Sequence, residues 1–583
     1  MSTEDVKDKS LFWGTSGSQD AEIAVVGESW GTNEKAKKLP FTGNTGTLWD
    51  GILAEILKIP RDKIFHTNVV SEHPYKNDMK RFFFSTKEAR ENKDNSLRGL
   101  YPHAFIHDHL NRLYSQLRKV NPKIIIALGN YALWALTDDS FRIGNKEGYK
   151  VPEGIANWGG SQLRTPFVHN IPLLPTFHPA STFETRPWLY MIKHDLQARV
   201  PLALEDKWDA PEKNFIVQPS YADVINFLLA VKLDSLLSVD IETWRGHITC
   251  IALATDTTHA ICIPFFAGGK QYWTEEEEYA IVQALSKTLS NSRVIGQNFL
   301  FDAQYIASDF FVRIDAYIDT MLTHHVLFPG GGDDNPVMGV TQKRLGNLSR
   351  LYCAHHTYWK EDGKDWDEKN FTPVKLWTYN CEDVVRTYEI AEVLLSLIKK
   401  ADLEEQFQFQ MRQAKMALTM MLRGIKIDVQ RRKDVAKELQ EYIDAYAKTI
   451  DSLIPEDVYP RKPKPAKPWY RSAQQIMAIM YDTLGIKPVI NRKTKRPTLS
   501  AQAYTTVKNR EPIVAPILEH IERYRSLGVF KSTFTESELD PDERMRTGFN
   551  PGGTESFRWN SRENPFGRGG NIQNIPKGEE EDD

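Results

Sequence analysis

The sequence predicts a multidomain protein, α/β over its first 400 residues and mainly helical after that. Three observations carry this. The chain has 583 residues, too many for one ordinary hydrophobic core. From Ala21 to about Val200, short apolar runs alternate with stretches of helical spacing, and a second strand-rich region begins near Phe215. From Ala401 onward the apolar residues recur at helical intervals, as in Phe407, Met411, Ala414, Leu418, Met421 and Leu422.

Composition narrows the class. A hydrophobic content of 41% and an aromatic content of 11% suit globular domains. The formal net charge of -3 excludes a globally basic chain, so nucleic-acid contact has to come from local patches. The 4 cysteines, Cys250, Cys262, Cys353 and Cys381, form no Cys-x-x-Cys pair; neither a zinc knuckle nor a disulfide framework is indicated, and a reducing cytoplasm fits. No run approaches the ~18 apolar residues of a membrane span, so no membrane partner is expected. The polar tail (1–20) lacks the apolar stretch of a signal peptide.

The first domain (21–203) opens on the buried-strand run Glu22 to Gly27. Further strands are predicted at Lys123 to Gly129 and Ile171 to Leu174, with helices at Thr47 to Leu57 and Phe105 to Val120. In such sheets ligands bind at the carboxyl ends of the strands. There the sequence places Gly27-Glu28-Ser29-Trp30-Gly31, Pro40-Phe41-Thr42-Gly43-Asn44-Thr45-Gly46, His66-Thr67-Asn68 and Phe177-His178-Pro179. An aromatic ring can stack a base, an amide can pair with its edge, and an imidazole can stabilise an anion. Each motif alone also suits an ordinary turn, a core residue or a loop cap.

Taken in order, these motifs resemble the uracil-DNA glycosylase superfamily, in the branch with Gly-Glu-x-x-Gly, Pro-Phe-x-Gly-x-x-Gly, Thr-Asn, Ala-Leu-Gly and a late His-Pro. The resemblance implies that Glu28 positions water, Phe41 stacks uracil, Asn68 reads it and His178 stabilises the leaving base. Two departures stand out. That branch normally holds an iron–sulfur cluster on four cysteines, whereas no cysteine here precedes Cys250, so no cluster is expected; and Trp30 replaces the usual proline. Recognition of a flipped base survives these changes more easily than excision.

A charged, proline-bearing linker (204–214) follows. The second domain (215–400) is predicted to open on a helix from Ser220 to Leu229, with Ser220 as its cap. Next comes the strand Ser238-Val239-Asp240-Ile241-Glu242. Residues two apart on a strand share a face, so Asp240 and Glu242 point the same way. Two such acids are costly unless a cation neutralises them. Strands Ile248 to Thr255 and His259 to Phe265 extend the sheet as a hairpin. A strand then runs into Asn298-Phe299-Leu300-Phe301-Asp302, placing Asn298 and Asp302 one helical turn apart, and Tyr379 and Asp383 repeat the spacing on a helix reaching about Ile398. Four carboxylates can hold two small divalent cations, which suits in-line hydrolysis of a phosphodiester, and a Tyr hydroxyl can orient the attacking water.

Asp-x-Glu, Asn-x3-Asp and Tyr-x3-Asp in this order resemble the proofreading 3′–5′ exonuclease family in its tyrosine variant, with a ribonuclease H-like fold. Asp319-Thr320-Met321-Leu322 and Leu345-Gly346-Asn347-Leu348 match further landmarks, with a Gly/Asp-rich loop from Phe328 to Gly339 between them. The resemblance implies Asp240, Glu242, Asp302 and Asp383 as ligands of two Mg²⁺ or Mn²⁺ ions, Tyr379 as a catalytic group, and Asn298 as a DNA contact. His324 and His325 read as packing or solvent-facing residues, and the cysteines as buried small hydrophobes.

The last third (401–578) is predicted to carry helices from Gln406 to Arg423 and from Val429 to Leu453, and one opening at Arg471. Between them, Tyr459 to Tyr470 is basic and proline-rich, suited either to a solubilising loop or to phosphate contact. Leu422-x-Gly424-Ile425-x-Ile427-Asp428, Ser472-x-x-Gln475, Thr554 to Ser561 and Asn571-Ile572-Gln573-Asn574-Ile575-Pro576 resemble the thumb and first palm edge of family A DNA polymerases. By that resemblance Arg558, Gln573 and Asn574 touch template-primer DNA, although Ser556-Phe557 replaces the family's Thr-Gly. The family's palm aspartates and fingers helix follow this segment. The chain, which closes on an acidic tail (579–583), is therefore expected to need a second polypeptide or a missing segment to polymerise.

Together these resemblances imply the N-terminal part of a bacteriophage replicative polymerase. It would work in the cytoplasm of the infected bacterial host, bind single-stranded 3′ ends and primer-template DNA, and meet other phage replication proteins. Its own chemistry would be metal-dependent 3′–5′ proofreading. A uracil-DNA glycosylase or uracil sensor tethered to the replication machinery is one alternative. A non-enzymatic DNA-binding scaffold for a split polymerase is another.

Overall fold

The chain is a multidomain α/β plus α protein. The computed structural model describes residues 11–92, 96–138, 154–330, 339–360, 373–454, 468–492 and 494–574. Most of the Phe328 to Gly339 loop, the proline-rich basic stretch, Ile575-Pro576 and the acidic tail lie outside these residues. The chain divides into two compact units, one of Met1–Leu418 with Pro551–Trp559, the other of Thr419–Asn550 with Asn560–Asp583. No helix among the described residues is long and apolar enough to cross a membrane.

The first unit holds two sheets. The N-terminal sheet has five strands: β1 (Ile23–Ser29), β2 (Phe65–Val70), β3 (Ile124–Leu128), β4 (Leu163–Thr165) and β5 (Ile171–Thr176), in the order β2-β1-β3-β5-β4. β2, β1, β3 and β5 run parallel and are buried almost throughout, as strands covered by helices on both faces should be; β4 closes the edge antiparallel. The predicted helix from Thr47 runs from Asn44 to Ile52 and ends in a π-turn, Leu53–Leu57.

The second sheet has six strands in the order β13-β12-β7-β8-β9-β6. These are β6 (Asn214–Ile216), β7 (Leu236–Trp244), β8 (His247–Ala254), β9 (His259–Pro264), β12 (Arg293–Gly296) and β13 (Ile318–Asp319); a small hairpin of β10 (Phe266–Ala267) and β11 (Lys270–Gln271) intervenes. β7, β8 and β9 form the antiparallel meander, and β12 lies parallel to β7. Ser220 caps the helix Tyr221–Ala230 through a reciprocal capping box with Asp223. The long helix Pro373–Lys400 packs across β7, β8 and β9, and its buried face joins Cys250, Cys262, Trp377 and Cys381 in one core.

The helix Pro187–Leu204 continues through Pro201, and Trp208 is buried, its indole N–H donating to the Leu163 carbonyl at 2.9 Å. This helix joins the two sheets. Asp195 and Arg350 are each 1% exposed as side chains and paired, and the Thr176 hydroxyl donates to the same Asp195 carboxylate at 2.6 Å. Arg199 donates to the carbonyls of Ala354, Arg350 and Cys353 at 2.7, 3.1 and 3.0 Å. That cap satisfies carbonyls left open where the helix Leu345–Tyr352 ends.

In the second unit the helix Val429–Leu453 is capped by Asp428 and packs on the helix Ala515–Phe530. Ile443 and Ile450, two turns apart, face Ile476, Leu518, Ile521 and Tyr524 in its core. Gly424, at φ +64°, ends the helix Glu404–Arg423 where the pattern predicts, and β14 (Ile425–Lys426) then pairs with β15 (Arg544–Met545). β16 (Thr547–Asn550) and β17 (Asn560–Glu563) form a hairpin.

Candidate active site

β7 presents Asp240 and Glu242 on one face, each half-buried, with Val239 and Ile241 buried between and beside them. The strand register breaks between Glu242 and Thr243, so β7 bends away just past the acids. The helix Pro373–Lys400 brings Asp383 over them. Oxygen atoms of Asp240, Glu242 and Asp383 all lie within 4.8 Å of one another.

Asp302 stands outside that triplet but beside it. β12 pairs with β7 only as far as Ser238, which leaves the Ile241 N–H open, and this N–H donates to Asp302 Oδ1 at 3.1 Å. Asp302 thus reads the backbone between the two strand acids. The expected shared helical face of Asn298 and Asp302 does not form. Asn298 sits at φ +56°, in the turn before the helix Leu300–Asp309, a conformation asparagine tolerates better than most residues. Asp319 fixes that turn by accepting from the backbone N–H groups of Asn298 and Phe299 at 3.1 and 2.8 Å.

Burial raises the proton affinity of all four acids, and neighbouring carboxylates add to it. Burial, then the Asp383 charge, pushes Asp240 up to about 8. Burial also pushes Glu242, Asp302 and Asp383 upward, with Asp240 the next cause for Glu242 and Asp302. Against them stands Lys360, whose ammonium donates to Tyr379 Oη at 2.7 Å and to Asp383 Oδ2. The Trp359 indole N–H donates to the other Asp383 oxygen at 2.6 Å. Burial and the neighbouring acids push the Tyr379 phenol upward, which keeps it a protonated donor. Asn380 donates its amide to Asp240 Oδ2 at 2.6 Å. Among the described residues one ammonium faces four acids that resist ionising together, and hard carboxylate oxygens at this spacing suit a small divalent cation.

Sequence reading missed Trp359, Lys360 and Asn380. The first two lie outside every matched motif. Asn380 sits inside one, but its value depends on a partner 140 residues away. The two histidines are settled as packing: both are buried, His324 donating to or accepting from the Tyr352 hydroxyl at 2.6 Å and His325 lying against the Phe557 ring.

A second cluster forms at the carboxyl ends of the N-terminal strands. Phe41, Asn68 and His178 line one cavity of about 300 Å³. Phe41 is held at φ +54° by Glu34, which accepts from its N–H. Asn68 is 2% exposed, and its amide nitrogen finds no protein partner. His178 Nδ1 accepts from the Ala180 N–H at 3.2 Å, and burial pushes the imidazole down to about 4, so it is neutral with its proton on the other nitrogen. Glu28 lies next to the cavity, accepts from the Tyr131 N–H at 3.2 Å, and is pushed up to about 7 by burial. A Cβ on Gly27 would meet Asn68 Oδ1 at 2.2 Å and Phe41 Cζ at 2.8 Å, so only glycine lets both approach.

Of the remaining candidates, Arg558 is exposed on the Pro551–Trp559 loop of the first unit, its backbone N–H on Thr554 Oγ1 at 2.9 Å. Gln573 and Asn574 are exposed on a 3₁₀ turn of the second unit.

These two sites coincide with two families. Residues 15–191 match the uracil DNA glycosylase superfamily, and residues 218–399 match the 3′–5′ exonuclease family. The chain therefore carries a uracil-DNA glycosylase-superfamily domain followed by a 3′–5′ exonuclease domain. It is similar to DNA polymerase I of Borreliella burgdorferi, 24% identical over 360 residues, which are 60% of this chain and 36% of that protein. It is also similar to the type-4 uracil-DNA glycosylase of Saccharolobus solfataricus, 27% identical over 191 residues, 33% of this chain and 75% of that enzyme. The chain thus spans about a third of the polymerase relative's length. Among solved structures, the POL domain of Pol1 from M. smegmatis in complex with DNA primer-template and dNTP aligns with a TM-score of 0.45 at 18% identity, covering 63% of this chain and 56% of that one.

Proposed function

We propose that this chain is a DNA polymerase I-like protein whose acid cluster performs 3′–5′ proofreading. The observation that supports it most is the triplet Asp240, Glu242 and Asp383 gathered within 4.8 Å, with Asp302 beside Asp240. Asp240, Glu242 and Asp383 would hold one divalent cation, and Asp302 with Asp240 a second. Cations bound there supply the charge that stabilises attacking and leaving oxygens.

The chain's own residues do the rest. Tyr379, kept protonated, donates to an oxygen at the attacking position, while its own oxygen accepts from Lys360. Trp359 and Lys360 clamp both Asp383 oxygens, so this carboxylate cannot rotate out of the cluster. A frayed 3′ end is single-stranded, so selection for mismatched termini comes from the cost of unpairing rather than from base readout. In this reading the exonuclease domain is 215–400, and residues 401–578 hold template-primer DNA through Arg558, Gln573 and Asn574. The combination of a glycosylase-like domain with this exonuclease supports a place in phage replication.

The test is digestion of 3′-labelled single-stranded DNA with Mg²⁺ or Mn²⁺. Digestion that is abolished in Asp240→Ala/Glu242→Ala supports the assignment. No digestion by the native chain, or digestion unchanged in the double variant, overturns it.

A second reading concerns the N-terminal cavity. The unpartnered Asn68 amide beside Phe41 supports recognition of a uracil base flipped into it. Release of uracil from single-stranded DNA would show a glycosylase. Binding without release would show a sensor, and neither would sink the reading.

A further inference from the structure

Asn380 lies between Tyr379 and Cys381 on the helix Pro373–Lys400 and is fully buried. Its amide nitrogen donates to Asp240 Oδ2 at 2.6 Å. Its amide oxygen accepts from two thiols, Cys250 Sγ at 3.7 Å and Cys262 Sγ at 3.8 Å. Those cysteines sit on neighbouring strands, β8 and β9, where Ala252 is the register partner of Cys262. The side chain therefore bridges the sheet's interior to a carboxylate of the acid cluster.

The chemistry fixes which way the amide points. A carboxylate that takes part in cation binding is ionised and only accepts, so the group facing it must be a donor. A thiol is a weak donor, and two of them converge on the other end, where the amide oxygen is the acceptor. Reversing the amide would set its oxygen against the carboxylate and its N–H₂ against two sulfurs. Asp240 Oδ2 is thus held in one orientation by a group that is itself held from behind.

We propose that Asn380 is the positioning residue for Asp240, and that the buried thiols of Cys250 and Cys262 set its orientation. The inference rests on the acid cluster being the exonuclease's cation site. Groups that hold a ligating carboxylate typically change cation affinity by about 10- to 100-fold when removed. The cysteines then have a use that needs no reactivity: burial pushes the Cys262 thiol upward and keeps it a protonated donor.

The test is Mn²⁺ binding to the full chain by calorimetry, read beside single-turnover digestion of 3′-labelled DNA. Asn380→Ala should weaken Mn²⁺ binding about 10-fold or more and slow digestion, with its melting temperature in chelator showing that it folds. Cys250→Ala/Cys262→Ala should weaken binding in the same direction by a smaller factor. Cys250→Ser/Cys262→Ser, which keeps two O–H donors, should restore it. Native Mn²⁺ affinity in a folded Asn380→Ala chain would overturn the proposal, as would equal effects of the alanine and serine pairs. Should Asn380→Ala not fold, the two cysteine pairs decide by the same comparison. A native chain that neither digests DNA nor binds Mn²⁺ through Asp240 and Glu242 would instead sink the exonuclease reading itself.

Discussion

Arg350 and Asp195 meet through two hydrogen bonds, Nε to Oδ1 at 2.9 Å and Nη2 to Oδ2 at 2.5 Å, although 155 residues separate them. Neither side chain reaches solvent, so each charge relies on the other. Removing one partner should leave a buried, uncompensated charge. Arg350→Met is expected to destabilise the first unit by about 3–5 kcal/mol, measured by denaturant unfolding. Asp195→Asn/Arg350→Met should recover a large part of that loss, because the pair is removed together.

The acid cluster makes stability depend on pH. The sign follows from the direction of the shift: Asp240 rises from 3.8 to about 8 on folding, so the folded chain binds more protons than the unfolded chain between those values. Without divalent ions, stability should be greatest at the acidic end of that window and fall as pH rises through it. Mn²⁺ should counter the fall, so the melting shift it produces ought to be larger at pH 8 than at pH 5.5. A thermal scan in chelator and in Mn²⁺ at both pH values checks this; a shift independent of pH would contradict the burial argument.

Among the described residues, Lys360 is the side-chain cation that touches the cluster. Lys360→Met should remove the donor to Tyr379 Oη and one clamp on Asp383. The expected result is a turnover roughly 10-fold lower or more in single-turnover digestion, with KM changed little, since the loss falls on orientation of the tyrosine rather than on DNA binding.

Gly27 offers a way to test the two proposed sites separately. Gly27→Ala must push Asn68 and Phe41 apart, because the new methyl would lie 2.2 Å from Asn68 Oδ1. Uracil-DNA binding measured by fluorescence anisotropy should be lost, while digestion of undamaged 3′-labelled DNA should stay at the native rate. Loss of both activities would point to collapse of the whole unit.

Much of this arrangement was legible in the residues. The pleat of β7 put Asp240 beside Glu242, and helical spacing put Tyr379 beside Asp383, because both facts are local and periodic. Asn298 escaped this logic. Its left-handed turn is fixed by Asp319, a partner some 20 residues away that no periodicity reports. Trp359 and Lys360 arrive from an irregular segment after a helix, and the amide of Asn380 gains its meaning from Asp240 and two thiols on other strands. Pro201 lies inside the helix Pro187–Leu204, and beyond that helix the burial of Trp208 is set by its contact with Leu163, which no local pattern reports.

The joint between Asp195 and Arg350 bears on which parts of the chain can be altered alone. Altering the N-terminal cavity takes only one substitution, such as Gly27→Ala. Losing the sheet that carries it would strand Arg350 and uncover the carbonyls of Arg350, Cys353 and Ala354 now held by Arg199. The N-terminal domain is therefore tied to the strand and helix elements that follow it by buried charge and backbone caps, and not by chain connection alone.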